Sequence, residues 1–421
     1  MAVKFKYHYN NPLSEMYITK EDLGLEQSLL LESLRLACSW ITDVAQVKTE
    51  KLTIERDTKN HQHKIWRGAI RGEYSVASKV WDFFCPIWHT GQAVKALVLA
   101  YKVLKDDRLL ESANLGVEFI VNESIRDPSD PDYGLILAYE DIGDIVNTSA
   151  ILECLDGLIH LSELKGYEKL WQVTLDALRW VADKAYIDEG LFRDFYSPRE
   201  RMFKFLSWAR PVGRPLADDG IFLKGYHKTG DERFRRIFFE TVDRLLKDEY
   251  PPGNWIRYPP CNTERGYIHP RHAYWWGYPM IMAYKETGDE KYLQCAIRAA
   301  DWYVHAQRRD GGLFRDTFID FSTPSFGHAT SGIACAVILW LELTQILEDK
   351  RYIEPMRKAL RFCISMQFRN PEDPNLRGAI LEKVLPPIDG TDKSPYHIRD
   401  LGTIFFIQAV AKILSNLESV R

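Results

Sequence analysis

Apolar residues recur along most of this chain with the spacing of an α-helix. Between 93 and 104, for example, Ala96, Leu97, Ala100 and Leu104 fall on one helical face. A half-buried strand would alternate apolar and polar residues with period two, and these segments do not. The pattern predicts twelve helices, at 26–45, 89–104, 107–123, 142–164, 167–186, 219–228, 232–247, 272–286, 290–307, 328–346, 350–367 and 398–418.

A short charged linker recurs between pairs of these helices. Its copies lie at 104–108, 165–169, 229–233, 287–291 and 347–351, which places them about sixty residues apart. Each copy contains a glycine or an acidic residue that can end one helix or cap the next. Each linker is therefore predicted to be the tip of a helical hairpin.

The two helices of a pair differ in composition. The first is rich in small residues and nearly apolar all round, as in 328–337, whereas the second is amphipathic and charged, as in 352–366. This contrast favours an inner and an outer ring of six helices over an open solenoid. We therefore expect an all-α fold, an (α/α)6 barrel of six helical hairpins that spans residues 1–421 as a single domain. Residues 51–80 have β-like and turn character and are predicted to form a small excursion near the rim.

Composition and charge narrow the classes of function. Hydrophobic residues make up 46% of the chain and charged residues 27%, and no run approaches the roughly 18 apolar residues of a membrane-spanning helix. The net charge of −4 and the absence of a basic stripe argue against a nucleic-acid partner. The first 17 residues lack an apolar signal core, so a cytoplasmic location is expected.

The cysteines and histidines do not suggest a metal site. Seven cysteines occur without a CxxC pair, mostly inside apolar helical runs, and are expected to be reduced thiols of the core. No His-x-x-x-His pair or carboxylate cluster has the spacing typical of zinc or calcium ligands. We therefore expect neither a metal nor a cofactor.

The segments that lead into the predicted inner helices carry the most informative residues. They lie at 88–92, 140–143, 215–220, 271–277, 328–332 and 396–402. Read in this order, they resemble the six-hairpin glycosidase superfamily, and most nearly the unsaturated glucuronyl and rhamnogalacturonyl hydrolases. The resemblance extends from about Trp88 to the C-terminus.

The resemblance implies roles for particular residues. Asp141, in an Asp-Ile-Gly setting, is similar to the first catalytic aspartate of these hydrolases. Arg271 and Trp275 are similar to the arginine and the aromatic residue that bind the uronate. His272 stands where the family has glycine, and Asp218 and Asp219 lie about one turn beyond the place expected for the second catalytic aspartate.

The chemistry of these residues also favours catalytic and substrate-binding roles, and each residue has a structural alternative. Asp141 with Asp218 or Asp219 could divide the roles of acid and base, although aspartates at helix starts also serve as N-caps. Glu140 is interpreted as a neighbour that perturbs Asp141 by like charge. Arg271 can hold a carboxylate in a bidentate contact. Further candidates for substrate contact are the nearby His272, Trp275 and Trp276, Trp88 and His89 at the first cleft loop, and His328 and His397, each of which could instead be structural.

These observations predict a glycoside hydrolase that acts on a uronic-acid-containing oligosaccharide. The resemblance implies either protonation of a C4=C5 double bond followed by addition of water, or direct hydrolysis of the glycosidic bond. A polysaccharide lyase or sugar epimerase on the same barrel stays open, because histidines and tyrosines cluster near Arg271. A non-catalytic carbohydrate-binding protein is the third alternative. The expected partner is an acidic oligosaccharide, and the sequence predicts no oligomeric state.

Overall fold

A computed structural model describes residues 19–50, 55–56, 63, 65–76, 78–140, 143–205, 213–261, 263–323, 327–382 and 397–417. Helices dominate this part of the chain, and each of the twelve predicted helices is present. The α-helices are α1 (Lys20–Leu23), α2 (Gln27–Ser39), α3 (Pro86–Leu104), α4 (Asp107–Asn122), α5 (Thr148–Ser162), α6 (Leu170–Trp180), α7 (Ile221–Thr229), α8 (Glu232–Asp248), α9 (His272–Thr287), α10 (Glu290–Ala306), α11 (Thr330–Leu347), α12 (Ile353–Ser365) and α13 (Leu401–Ser415).

The charged linkers form hairpin tips, as predicted. The side chains of Asp106, Asp231, Asp289 and Asp349 each accept a hydrogen bond from the backbone N–H two residues later, at the start of an outer helix. The residue before each of these aspartates has a left-handed backbone and ends the inner helix; these residues are Lys105, Gly230, Gly288 and Glu348. Local capping chemistry therefore sets four of these boundaries, whereas after the linker 165–169 helix α6 begins at Leu170 without a side-chain cap.

The inner helices form a closed ring. In chain order, α3 packs against α5, and α9 packs against α11, which packs against α13. The short 3-10 turn Asp218–Gly220 and α7 fill the place between α5 and α9. Contact between α13 and α3 closes the ring, while α2 packs on α13, so the sixth hairpin is made from the two ends of the chain. This arrangement confirms the predicted (α/α)6 barrel.

Two glycines allow the closest approach within the inner ring. A Cβ atom at Gly91 of α3 would lie 2.4 Å from Cα of Cys154, and one at Gly157 of α5 would lie 2.1 Å from the carbonyl oxygen of Gly91. Neither distance is possible for a real side chain. These two positions therefore require glycine for α3 and α5 to touch.

Short strands lie at the end of the barrel where the inner helices begin. The predicted excursion contains β1 (Glu55–Arg56), β2 (Gly72–Ser75) and β3 (Val80–Phe83), and β2 also pairs with β10 (His397–Arg399). Two further sheets were not predicted. They consist of β4 (Val146–Asn147), β5 (Tyr186–Asp188), β6 (Leu191–Arg193), β7 (Phe195–Ser197), β8 (Met202–Phe203) and β9 (Gly213–Arg214).

The predicted helix 142–164 begins later than expected for a local reason. β4 occupies 146–147 and pairs with β7, and the Asn147 side chain then accepts hydrogen bonds from the backbone of Ser149 and Ala150. Asn147 is thus the N-cap of α5, which starts at Thr148.

The buried helices and cysteines belong to the core. Within the described ranges, α11 is the one helix long and apolar enough to cross a membrane by length and composition, and 78% of it is buried inside the barrel. All seven cysteines are buried with free thiols. Both features fit packing in the protein core.

Candidate active site

A cavity of about 240 Å³ opens at the end of the barrel where the inner helices start. Aromatic, acidic and basic side chains all contribute to its lining. The aromatic residues are Phe84, Trp88, Phe195, Trp275 and Trp276. A cleft with convergent polar groups on an aromatic surface is the usual form of a small-molecule site in a protein.

Trp88 and Trp275 form the core of the aromatic surface. Their ring centroids are 6.2 Å apart, and the guanidinium carbon of Arg271 lies 5.6 Å from the first ring and 5.1 Å from the second. Trp276 is more deeply buried than Trp88 and Trp275, and its ring centroid lies 4.0 Å from that of His272. The structure thus brings Trp88, Arg271, His272, Trp275 and Trp276 together in one lining, as the sequence predicted.

Asp218 is one of two carboxyl groups in the lining that share an unusual environment. It belongs to the 3-10 turn before α7 and is 5% exposed. Burial raises its pKa to about 7, and the charges of Asp219 and Asp194 act in the same direction, while Arg214 opposes them. Asp218 therefore titrates near neutral pH.

Glu153 is the second of these carboxyl groups, and the sequence interpretation missed it. It lies on α5 with 7% of its surface exposed, and burial raises its pKa well above the ordinary value. The nearby charges of Asp218, Asp219 and Glu140 raise it further. The available signal was a glutamate inside the otherwise apolar run of an inner helix.

Glu140 also lines the cavity, half-buried, and adds negative charge beside Glu153. Its predicted neighbour Asp141 lies outside the described residues, as does the side chain of His397. The catalytic role of Asp141 therefore stays a prediction.

Asp219 does not line the cavity, although it follows Asp218 directly. Its backbone is left-handed, with φ at 52°, and its carboxylate accepts hydrogen bonds from Lys95 at 2.9 Å and from Gln92 at 3.1 Å. Lys95 also contacts Asp156 at 2.7 Å, and all of these groups are buried within the inner ring. Asp219 thus belongs to a structural polar network, and neither it nor Asp218 caps a helix.

Two predicted histidines also lie elsewhere. Nδ1 of His89 is 2.7 Å from Oδ1 of Asp400, with both side chains fully buried and outside the cavity lining. His328 packs against Phe362, and its Nδ1 atom is 2.8 Å from Nη1 of Arg308. These contacts fit structural roles for both residues.

Four arginines line the cavity, and the sequence interpretation named only Arg271. Arg271 donates to Ser331 at 2.8 Å and lies 3.5 Å from Oε1 of Glu382. Arg399 lies 3.2 Å from Oε2 of Glu73 and stacks 3.8 Å from the ring centroid of Phe84. Arg214 pairs with Asp194 and donates to Ser149 at 2.9 Å.

The fourth arginine, Arg315, contacts a histidine. Its Nη1 atom lies 2.9 Å from Nε2 of His269. The His269 ring stacks on Trp275, with 4.9 Å between the ring centroids and 9° between the ring planes. Burial lowers the pKa of His269 well below its usual value, and Arg315 and Arg271 add to the effect. Burial likewise lowers the pKa of His272. Both histidines are therefore neutral at pH 7 and add no positive charge beside Arg271.

Within the described ranges, no group of three or more histidine, cysteine or acidic side chains is placed to hold a metal ion. The cavity lining itself supplies carboxyl groups, neutral imidazoles and guanidinium groups. Such groups can donate and accept protons and can bind anions.

Comparison with known proteins supports the fold and not a particular activity. No family model matches the chain, and no curated protein matches it. Among solved structures, an unsaturated glucuronyl hydrolase specific for heparin matches with a TM-score of 0.68 and 13% identity, over 93% of this chain and 98% of the other. A D-mannose isomerase matches with a TM-score of 0.65 and 11% identity, over 93% and 98%.

A sugar epimerase from a ruminal bacterium matches with a TM-score of 0.61 and 15% identity, over 90% of this chain and 98% of the other. These proteins share the (α/α)6 barrel, so the predicted fold is confirmed, in agreement with the resemblance to six-hairpin glycosidases. Hydrolases, epimerases and isomerases all occur among the matches.

Proposed function

We propose that this protein is a hydrolase that acts on oligosaccharides ending in a uronic acid. One observation carries the proposal: two carboxyl groups with raised pKa values share a single aromatic cavity with four arginines. The carboxyl groups can supply acid and base, and the arginines can bind the carboxylate of the sugar. The fold, which the chain shares with unsaturated glucuronyl hydrolases, supports the same assignment.

The environments of the two carboxyl groups suggest how they divide the work. Asp218, with a pKa of about 7, is ionised in a large fraction of molecules at neutral pH and can accept a proton from water. Burial and the charge of Asp218 both raise the pKa of Glu153, which favours its protonated form. A carboxyl group that favours the protonated form, beside one that ionises near neutral pH, can serve as the acid of such a pair.

In the reaction, Asp218 takes a proton from the attacking water and Glu153 gives a proton to the sugar. With a saturated uronide, the proton goes to the leaving glycosidic oxygen as water attacks the anomeric carbon. With an unsaturated uronide, it goes to C4 as water adds at C5, and the resulting hemiketal then opens. The aromatic rings of Trp88 and Trp275 can support the sugar ring in either case.

The test is an assay of the purified protein on saturated uronides, unsaturated uronides and matched neutral glycosides. We expect release of free sugar from an acidic substrate, and an unsaturated substrate should also lose its double-bond absorbance. The double variant Asp218→Asn/Glu153→Gln is the control for contaminating enzymes. Cleavage of neutral glycosides alone, or a rise in absorbance that marks a lyase, would contradict the proposal.

A sugar epimerase or isomerase is the second candidate, and His272 is the observation that favours it. This histidine lines the cavity, is neutral because of burial, and has no hydrogen-bond partner for Nε2 among the described residues. A neutral imidazole can remove a proton next to a sugar carbonyl. Incorporation of deuterium from heavy water into an unhydrolysed sugar, abolished by His272→Gln, would establish this activity in place of hydrolysis.

A further inference from the structure

The arginines of the cavity differ in how their charges are compensated. Arg214 pairs with Asp194, Arg271 lies near Glu382, and Arg399 lies near Glu73. Across the part of the chain that the structure describes, Arg315 has no carboxylate within ion-pair distance. The cavity therefore contains one guanidinium group that forms no ion pair with a carboxylate of these residues, although Asp316 and Glu382 attract it from a greater distance.

Arg315 is half-buried, which makes the missing partner significant. Burial lowers its pKa to about 10; the positive charges of Arg271 and Arg399 act in the same direction and the carboxylates of Asp316 and Glu382 oppose them, so that it remains protonated at pH 7. A partly desolvated cation without a counter-charge is unfavourable unless an anion joins it. The free protein thus carries a cost that an anionic ligand would remove.

Two N–H donors, one of them from Arg315, face the two ring nitrogens of His269. Nε2 of His269 faces Nη1 of Arg315 at 2.9 Å, and Nδ1 faces the backbone N–H of Arg271 at 3.3 Å. Both partners can only donate, whereas a neutral imidazole has one nitrogen that accepts. The imidazole can therefore accept from only one of the two donors, so Arg315 has at most this one neutral acceptor in place of a carboxylate.

Further donors in the same lining lack acceptors. The Nε atoms of Arg214, Arg271 and Arg399 and the indole nitrogens of Trp88 and Trp276 are buried and have no hydrogen-bond partner among the described residues. Buried donors are normally satisfied, so these positions indicate where a bound group can accept hydrogen bonds.

We propose that Arg315 is the residue that binds the carboxylate of the substrate and so determines the preference for an acidic sugar. Its guanidinium leaves His269 and forms a charge-assisted, bidentate contact with the uronate. Arg271, whose charge Glu382 already balances, supports the two tryptophans. This inference rests on the proposed function, because it takes the uronate as the ligand.

The test is a calorimetric comparison of D-glucuronate and D-glucose as ligands of the whole protein. Arg308→Met is the matched control, because Arg308 makes a similar contact with His328 but pairs with Asp310 and lies outside the cavity lining. We expect wild type and Arg308→Met to prefer glucuronate, and Arg315→Met to lose at least ~10-fold of that preference with unchanged affinity for glucose. Arg315→Lys keeps the charge without the bidentate geometry and should fall between them.

The outcomes separate the two proposals. If wild type and Arg315→Met prefer glucuronate equally, Arg315 is not the anchor, while the proposed function stands. If the wild-type protein shows no preference for glucuronate, both ideas fail. Should Arg315→Met not fold, a preference in Arg315→Lys equal to that of wild type would overturn the bidentate assignment, and a partial loss would support it.

Discussion

Nζ of Lys95 lies 2.9 Å from Oδ1 of Asp219 inside the barrel, while the adjacent Asp218 faces the cavity. The left-handed backbone of Asp219 and Gly220 separates the directions of these two consecutive carboxylates. Lys95 bridges Asp219 to Asp156, which also pairs with Lys224. A buried ionic network thus holds the turn that presents Asp218.

Removal of the Asp219 carboxylate should destabilise the fold more than removal of the Asp218 charge. Asp219→Ala removes one of the two acceptors of the Gln92 amide and leaves Lys95 with one carboxylate, which should lower the free energy of unfolding by about 1–3 kcal/mol. Asp218→Asn should not lower it at pH 7. Chemical denaturation of both variants measures the difference, and equal losses would show that the two residues share one role.

The raised pKa of Asp218 predicts a pH-dependent stability. Below its unfolded-state pKa, near 4, the group is protonated in both states, and its favourable contribution is fully present. As the pH rises through about 7, the folded protein must bury the ionised form, and that contribution is lost. Relative to Asp218→Asn, the wild-type protein should therefore lose about 1–4 kcal/mol between pH 4 and pH 8. A constant difference between the two denaturation series would contradict this assignment.

Glu153→Gln should lower turnover by at least ~100-fold, because the variant keeps the shape of the proton donor but not its proton. Its folding should be unaffected or improved, since a buried ionisable group is removed. Glu163→Gln is the matched control, because Glu163 caps the other end of the same helix and is exposed. If both variants retain wild-type turnover, Glu153 is not the acid.

The helices of this fold could be predicted because their signals are local. Asp231 and Gly230 show the reason: one caps α8, the other ends α7, and both signals lie within a few residues of the boundary. The strands β5 to β9 could not be predicted in the same way. Each is two or three residues long, which is too short for a period-two pattern to show, and pairs such as Phe192 with Arg214 also join residues distant in sequence.

The candidate site was predicted where it uses the starts of inner helices. Arg271 is the N-cap residue of α9, and Trp88 and Trp275 lie in the first turn of α3 and of α9, within recognisable motifs. Arg315 lies in the loop after an outer helix, and Glu153 lies more than one turn inside α5. Their convergence depends on closure of the ring, which no short segment of sequence encodes.

Asp141 remains a candidate through the resemblance to the uronyl hydrolases. We predict that Asp141→Asn lowers turnover on an acidic oligosaccharide by at least ~100-fold and leaves the thermal unfolding temperature unchanged. The comparison with Asp218→Asn is informative, because a shared acid–base role would make the double variant little worse than either single variant. If the variant is less stable but its folded molecules keep wild-type turnover, Asp141 serves as a helix cap and not in catalysis.

Arg271 and Glu382 should behave as a buried pair in stability measurements. Glu382 is 1% exposed and also accepts hydrogen bonds from the backbone and hydroxyl of Ser331. Arg271→Met leaves this carboxylate without its nearby cation, which should cost about 3–5 kcal/mol. The double variant Arg271→Met/Glu382→Gln should recover a large part of that loss, because no uncompensated charge then remains. Denaturation of the four proteins of this cycle gives the coupling energy directly. A near-zero coupling energy, together with a loss of affinity for glucuronate but not for glucose, would mean that Arg271 binds the carboxylate of the ligand. The roles proposed for Arg271 and Arg315 would then be exchanged.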